Sequence, residues 1–285
     1  MLKTNIQTFI GCEADYRDAT HVLYGVPFDG TTSYRPGTRF GPSAVRAESF
    51  GLETYSPYQD KDLTDYAVFD SGDLELPFGN PVRVLEAIEA RATTILDDGK
   101  FPFMVGGEHL VTLGAVRAAF KKHPDLHMIH FDAHTDLRDD YLGEKLSHAT
   151  VLRRCHDLLG DQKIYHFGIR SGDRPEFKWA DEGHTTLQKF NFDGLAQALQ
   201  AIGDKPVYFT IDLDVLDPSE FPGTGTPEAG GVTFTALIDA LIAVSKQANV
   251  VACDVNELAP IYDPSGRSTA LAGKVIREFL IALQK

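Results

Sequence analysis

The sequence predicts a single α/β domain, residues 1–285, in which a parallel sheet carries helices on both faces. Short runs rich in β-branched and aromatic residues alternate with helical stretches, a pattern typical of successive strand–helix–strand units. No linker rich in proline, glycine or serine and no internal repeat divides the chain. Its hydrophobic content of 43% and charged content of 24% indicate a globular protein and exclude a disordered chain, a collagen and a coiled coil.

Eight strands and seven helices account for this prediction. The strands are predicted at residues 21–26, 66–70, 102–105, 127–132, 163–169, 185–190, 207–212 and 249–254. The helices are predicted at residues 42–51, 81–98, 110–121, 149–159, 192–202, 235–247 and 267–283. The clearest helix begins at Pro81, carries apolar residues at helical spacing and is followed by Gly99. Because strands separated by helices pair in parallel, we expect function in the loops beyond their carboxyl ends.

The charge and cysteine content narrow the classes of partner and compartment. The chain has 27 Lys and Arg against 41 Asp and Glu, a net charge of −14, which argues against nucleic acid or an anionic membrane as partner and is compatible with a cationic substrate. Its three cysteines have no paired spacing, so neither a disulfide framework nor a thiolate metal site is predicted. The sequence starts without a secretory signal pattern, and no apolar run approaches the roughly 18–20 residues of a membrane span. We therefore expect a cytoplasmic protein.

Four of the predicted strands end in polar side chains. Parallel strands place these ends at one edge of the sheet, where extended residues two apart point to the same side. The donors that this arrangement would gather are His109, Asp132, His134, Asp136, Asp212 and Asp214. Four crowded carboxylates repel one another unless cations are present, and two divalent ions would cancel their charge. Oxygen and nitrogen donors without thiolates fit Mn²⁺ or Zn²⁺, and the carboxylates favour Mn²⁺.

Each motif alone has a simpler interpretation, since a single Asp after a strand is usually a helix N-cap. Their co-occurrence is far more specific. The motifs are GGEH at 106–109, DAHTD at 132–136, DLDVLDP at 212–218 and GTGTPEAGG at 223–231. On these motifs the sequence resembles the ureohydrolases, the family of arginases and agmatinases, and the resemblance covers nearly the whole chain.

The resemblance implies a fold, a cofactor and an assembly. It implies a three-layer α/β/α fold with an eight-stranded parallel sheet, two Mn²⁺ ions, hydrolysis of a guanidinium to urea and an amine, and a homo-oligomer, either a trimer or a hexamer. Position by position, one ion would be held by His109, Asp132, Asp136 and Asp212. The other would be held by Asp132, His134, Asp212 and Asp214, so that Asp132 and Asp212 bridge the two.

Four residues are candidates for catalysis or substrate binding. We expect a hydroxide shared by two metals to attack the guanidinium carbon, with Asp136 helping to move its proton to the leaving nitrogen. The resemblance assigns guanidinium binding to Glu257 and proton exchange with solvent to His148, for which a packed or helix-capping histidine is the alternative. Asp173 is our candidate for the distal ammonium of the substrate, and a helix N-cap is its alternative. Glu108 and Asp254 are expected to orient ligands by hydrogen bonds.

Within the family, the agmatinases resemble this sequence most, which implies conversion of agmatine to putrescine and urea. The loop at 137–144 supplies anions and aromatic residues where arginases hold a carboxylate, so a substrate with a second cation suits it. Guanidinobutyrate, aminopropylagmatine and arginine stay open as alternative substrates. A phosphoester hydrolase would need basic residues near the metals. An inactive polyamine-binding member is disfavoured because all six metal donors are present together with Glu257 and His148.

Overall fold

Eight parallel strands form one sheet at the centre of the computed structural model, which describes residues 7–284. The described residues contain ten strands in all, which are β1 (His21–Gly25), β2 (Tyr55–Ser56), β3 (Lys61–Asp62), β4 (Val68–Asp73), β5 (Phe101–Val105), β6 (His127–Phe131), β7 (Ile164–Ile169), β8 (Thr186–Lys189), β9 (Pro206–Asp212) and β10 (Asn249–Asn256). Their order in the sheet is β4-β1-β5-β10-β9-β6-β7-β8, and β2 and β3 form a separate antiparallel pair. The predicted fold class is confirmed.

Helices cover both faces of this sheet. They are α1 (Gly41–Ser49), α2 (Pro81–Asp97), α3 (Thr112–Lys122), α4 (Val151–Leu159), α5 (Arg174–Trp179), α6 (Leu195–Ile202), α7 (Phe234–Gln247) and α8 (Arg267–Leu283). Short 3-10 turns at His109–Val111, His148–Thr150 and Leu213–Val215 follow strands or precede a helix close to the predicted site, and a π-helical turn spans Ala180–His184. None of the described helices has the length and apolar character needed to cross a membrane.

The alternation of side chains along the strands creates two separate hydrophobic cores. On β1, Leu23 belongs to the core that includes residues of α1, α6, α7 and α8, whereas Val22 and Tyr24 belong to the core that includes residues of α2, α3 and α4. Phe103 and Met104 divide in the same way on β5. Both faces are therefore buried, which produces three layers and explains why the strands are nearly continuous apolar runs.

The predicted elements differ from the observed ones mainly at their ends. The structure also contains the β2–β3 hairpin and helix α5, neither of which was predicted. Each strand of the hairpin has two residues and α5 has six, so they are too short to show a period in hydrophobicity. Strand β10 continues to Asn256, two residues beyond its predicted end, because Asn256 pairs with Asp212 of β9.

The sheet order brings four carboxyl ends together. Strands β5, β10, β9 and β6 are consecutive in the centre of the sheet, and they are the four strands predicted to end in polar residues. After β5 the chain passes to β6, which lies three places further along the sheet. Strands β9 and β10 later fill the two places between them, so the direction in which strands are added reverses between β5 and β6. A reversal of this kind opens a crevice at the carboxyl edge, and ligands of open α/β sheets bind in such crevices.

Candidate metal and catalytic site

The first group of predicted ligands surrounds one nitrogen of His109. Its Nδ1 lies 3.1 Å from Asp132 Oδ2, 3.3 Å from Asp136 Oδ2 and 3.5 Å from Asp212 Oδ2. All four side chains are buried. These four residues come from the carboxyl ends of three strands, β5, β6 and β9, and they are the set predicted to hold one ion.

The second group surrounds Nδ1 of His134. This atom lies 3.4 Å from Asp132 Oδ1 and 3.1 Å from Asp214 Oδ2. Asp132 thus directs one oxygen to each group, as a bridging ligand would. Asp212 directs Oδ2 to His109, while its Oδ1 accepts a hydrogen bond of 2.8 Å from the backbone of Asp214. A second metal contact of Asp212 stays a prediction.

The donor distances fit a metal cage. A divalent ion about 2.1 Å from each donor keeps neighbouring donors roughly 3.0–3.4 Å apart in octahedral or tetrahedral geometry. Most of the observed separations lie in or close to that interval and exceed the usual length of a charge-assisted hydrogen bond, about 2.7–2.9 Å. Four carboxylates and two imidazoles with no thiolate form a donor set suited to Mn²⁺ or Zn²⁺.

The electrostatics of the cluster indicate the same need for cations. Burial raises the pKa of Asp136 to about 7, with a further contribution from the charge of Asp132. Burial and the charge of Asp214 raise the pKa of Asp212 well above its usual range. Although burial opposes it, hydrogen bonding to Asp132 and Asp136 raises the pKa of His109. Divalent ions would take the place of these protons and stabilise the ionised carboxylates.

The backbone that presents Asp136 differs from the extended one predicted. Strand β6 ends at Phe131, and Asp136 has a φ of 52°, in the left-handed region that residues other than glycine adopt at a cost. Buried Glu176 of α5 fixes this turn, since its Oε1 accepts hydrogen bonds from Thr135 Oγ1 at 2.6 Å and from Leu137 N at 2.9 Å. The prediction that the DxHxD motif has extended backbone is therefore wrong at Asp136, where a strained turn brings the carboxylate to the cluster.

The far side of His109 is fixed by two residues. Its Nε2 lies 2.9 Å from Thr210 Oγ1, and Thr210 donates its hydroxyl proton to Asp254 Oδ1 at 2.5 Å. Thr210 must then accept from Nε2–H, which leaves Nδ1 as the nitrogen that would bind a metal ion. Asp254, expected to orient a ligand, is placed to do so through Thr210. The hydroxyl was not identified from the sequence because nothing in its apolar strand marks it.

Two further histidines support Asp132. His130 Nε2 lies 2.8 Å from Asp132 Oδ2, and His130 Nδ1 lies 2.8 Å from Nδ1 of His166. Both imidazoles are fully buried, which lowers the pKa of each. Neutral rings allow one proton arrangement, in which His166 donates to His130 and His130 donates to Asp132. This pair was not predicted from the sequence, although both histidines interrupt apolar strands.

His148 is held by the loop after β1. Its Nε2 lies 3.2 Å from the backbone N of Ser33 and 2.9 Å from Ser33 Oγ, and its backbone N–H donates to Thr31 Oγ1 at 3.1 Å. Since a backbone N–H only donates, Nε2 is an acceptor and the ring is neutral. Burial and the neighbouring His134 lower the pKa of His148 to about 4. Glu108 fixes the loop by accepting from Thr31 N at 2.9 Å and from Thr32 Oγ1 at 3.0 Å.

Glu257 directly follows β10 and contacts the backbone of His109. It is nearly buried, its Oε1 accepts a 2.7 Å hydrogen bond from the backbone of His109, and its φ is 68°. Burial and the charges of Asp214 and Glu108 raise the pKa of Glu257 well above its usual range. The hydrogen bond from His109 fixes the direction of Oε1. A cationic group beside Oε2 would stabilise the ionised carboxylate and so restore its negative charge.

A cavity of about 190 Å³ opens onto the cluster. It is lined in part by His134, Asp136, Arg138, Tyr141, His148, Asp173 and Glu176. Asp173 is half-exposed, and its carboxylate pairs with Arg138 Nη1 at 2.8 Å. Asp173 also occupies the N-cap position of α5, the alternative interpretation of this residue, and its binding of the substrate's ammonium stays a prediction. The loop at 137–144, predicted to supply anions and aromatic residues, also brings the cation of Arg138 to the cavity.

Comparisons with known proteins identify the family of this chain. Residues 19–282 match the model of the arginase family. The agmatinase of Bacillus subtilis is 49% identical over 98% of this chain and 97% of its own length. A crystal structure of a Clostridium difficile protein, 48% identical, superposes with a TM-score of 0.92 over 94% of this chain and 98% of the other. The agmatine ureohydrolase of Thermoplasma volcanium, 34% identical, superposes with a TM-score of 0.89 over 98% and 95% of the two chains. The chain therefore belongs to the arginase family.

Proposed function

We propose that this protein is an agmatinase, which hydrolyses agmatine to putrescine and urea with two Mn²⁺ ions. The observation that carries the proposal is that Asp132 directs one oxygen to each of two donor groups, centred on His109 and His134. Agmatinases that are nearly half identical over the full length support the choice of substrate.

Two ions would be held by the six residues predicted from the sequence. When bound, they supply Lewis acidity, which acidifies water from a pKa of ~15.7 to about 7 and so provides a nucleophile at neutral pH. Mn²⁺ is preferred over a softer ion because carboxylates outnumber imidazoles and no cysteine contributes. The three cysteines of the chain are all buried and unpaired.

Glu257 and Asp136 carry the chemistry on the protein side. Glu257, with one oxygen fixed by the backbone of His109, binds the substrate guanidinium through a charge-assisted hydrogen bond. Asp136 accepts a proton from the attacking water and passes it to the leaving nitrogen.

His148 completes proton transfer at the cavity. A neutral ring is required if it is to accept a proton, and Ser33 stabilises the neutral ring by donating to Nε2. Breaking that contact frees Nε2, which then exchanges protons between the departing amine and solvent. The Ser33 loop, which the sequence did not associate with His148, thus takes part in the proposed role.

The charges that line the cavity favour an ammonium tail. Apart from the cluster itself, Asp173 and Glu176 contribute −2 and Arg138 contributes +1, a sum of −1 that matches one ammonium. A carboxylate tail would face an excess of negative charge. Arg138 nevertheless offers a carboxylate one cationic partner, so 4-guanidinobutanoate hydrolysis is the second candidate function.

Urea release from a matched set of substrates tests the proposal. The purified protein is stripped of metal, reconstituted with Mn²⁺ and assayed with agmatine, 4-guanidinobutanoate, arginine and aminopropylagmatine. We expect two bound equivalents of Mn²⁺ and the highest kcat/KM for agmatine. Asp132→Asn is the matched inactive control. A single bound equivalent at saturation, or no urea from any substrate, contradicts the proposal, and a higher kcat/KM for 4-guanidinobutanoate selects the second candidate.

A further inference from the structure

A second group of potential ligands lies outside the proposed active site. His156 near the end of α4, Asp161 in the following turn and His184 before β8 converge on one point. His156 Nε2 lies 2.8 Å from Asp161 Oδ1, and His184 Nδ1 lies 2.7 Å from the same oxygen. We propose that these three side chains form a binding site for a transition-metal ion of the Zn²⁺, Ni²⁺ or Cu²⁺ type.

Trp179 fixes both imidazoles in advance. The ring of His184 stacks on Trp179 with centroids 4.4 Å apart and 13° between the planes, and the ring of His156 meets the indole edge-on at 4.6 Å. The backbone of Gln162 donates to the carbonyl of His184 at 2.8 Å, which ties the two segments together. The two nitrogens therefore need little reorganisation to face a common ion, which lowers the entropic cost of binding.

The chemistry of the three donors selects the class of metal. Two neutral imidazoles and one carboxylate suit Zn²⁺, Ni²⁺ and Cu²⁺, and along the series of divalent ions Mn²⁺ binds such sites least tightly. The site would therefore not compete with the catalytic centre for Mn²⁺. Hydrogen bonds from His184 and His156 lower the pKa of Asp161, so its carboxylate is ionised at neutral pH.

Binding replaces the two hydrogen bonds by two coordination bonds. Each imidazole would then bind the ion through the nitrogen that now faces Asp161, with its proton on the other ring nitrogen. The donors must separate from hydrogen-bond distance to roughly 3.2 Å or more. Asp161 has room for this movement because its side chain is 60% exposed. Water would complete the coordination, and the ion would fasten the end of α4 to the segment that leads into β8.

Trp179 is the only tryptophan of the chain and provides a direct probe of the site. The Mn²⁺-loaded protein is titrated with Cu²⁺, which quenches a nearby indole, and then with Zn²⁺ as a competitor. We expect quenching that saturates at one equivalent and is reversed by Zn²⁺. His156→Ala and His184→Ala should each lose the saturable quenching, and Asp161→Asn should weaken it. His123→Ala, at the end of α3, is the matched control and should behave as wild type.

Specific outcomes would overturn the proposal. Absence of quenching in the wild-type protein would do so, as would quenching that persists in both histidine variants. Quenching that disappears in Asp132→Asn and remains in His184→Ala would place the copper in the catalytic cluster and equally reject the site. Circular dichroism establishes that each variant is folded, and since the probe is fluorescence, the result does not depend on the substrate proposed above.

Discussion

His130 Nε2 lies 2.8 Å from Asp132 Oδ2, the carboxylate oxygen that also faces His109. His130 is buried in β6, and its Nδ1 lies 2.8 Å from Nδ1 of His166 on the neighbouring strand β7. The direction of the carboxylate that joins the two donor groups is thus set by a residue that belongs to no ligand motif. Partners of this kind fix the orientation of a ligand and adjust its affinity for the ion.

Replacing His130 by Phe removes this support and keeps the ring volume. We expect a loss of about 10–100-fold in Mn²⁺ affinity, measured by competition with a chelator. Leaving the N–H of His166 without an acceptor should also destabilise the fold by about 1–3 kcal/mol, measured by denaturant unfolding. His127→Gln, on the same strand and outside the site, is the matched control. Complete loss of one ion would contradict a supporting role and make His130 a ligand.

His148→Ala tests the proton-transfer role. We expect kcat to fall by about 10²–10⁴-fold, the usual range for loss of a general acid or base, with two equivalents of Mn²⁺ retained. Partial rescue by added imidazole would agree with proton exchange. Ser33→Ala removes only one of the two contacts to Nε2 and should cost far less. Loss of bound metal in His148→Ala would instead make this residue a ligand.

Asp173→Asn tests recognition of the substrate tail. Because Asp173 is half-exposed and already paired with Arg138, we expect KM for agmatine to rise only several-fold, equivalent to about 1 kcal/mol. Butylguanidine, which has no tail charge, is the control substrate, and its KM should not change. An equal increase for both substrates would indicate displacement of α5, in which Asp173 holds the N-cap position. An unchanged KM for agmatine would remove Asp173 from the binding site.

The four central strands and their polar ends were predictable because each of them is a short apolar run followed within three residues by Asp or Glu. The order of the strands was not, since no local pattern states that β9 and β10 lie between β5 and β6. Contacts that depend on register between strands, such as His130 with His166, were missed for the same reason. The pairing of Arg138 with Asp173 depends on α5, which is too short to be recognised, and the left-handed turn at Asp136 depends on Glu176.

His21 gives a prediction about stability that is independent of the active site. It is buried on β1 beside Phe101, and burial lowers its pKa from 6.5 to about 4. Between these values the unfolded chain binds a proton at His21 and the folded chain does not, so the free energy of unfolding falls as the pH decreases from 6.5 to 4. The shift corresponds to about 3 kcal/mol at most. The measurement is urea unfolding of wild type and His21→Phe at pH 7 and pH 4.5. We expect wild type to lose more stability than His21→Phe over this interval, because the variant lacks the titrating group. Equal losses in both proteins would show that His21 does not titrate in this way and would assign the acid sensitivity to other groups.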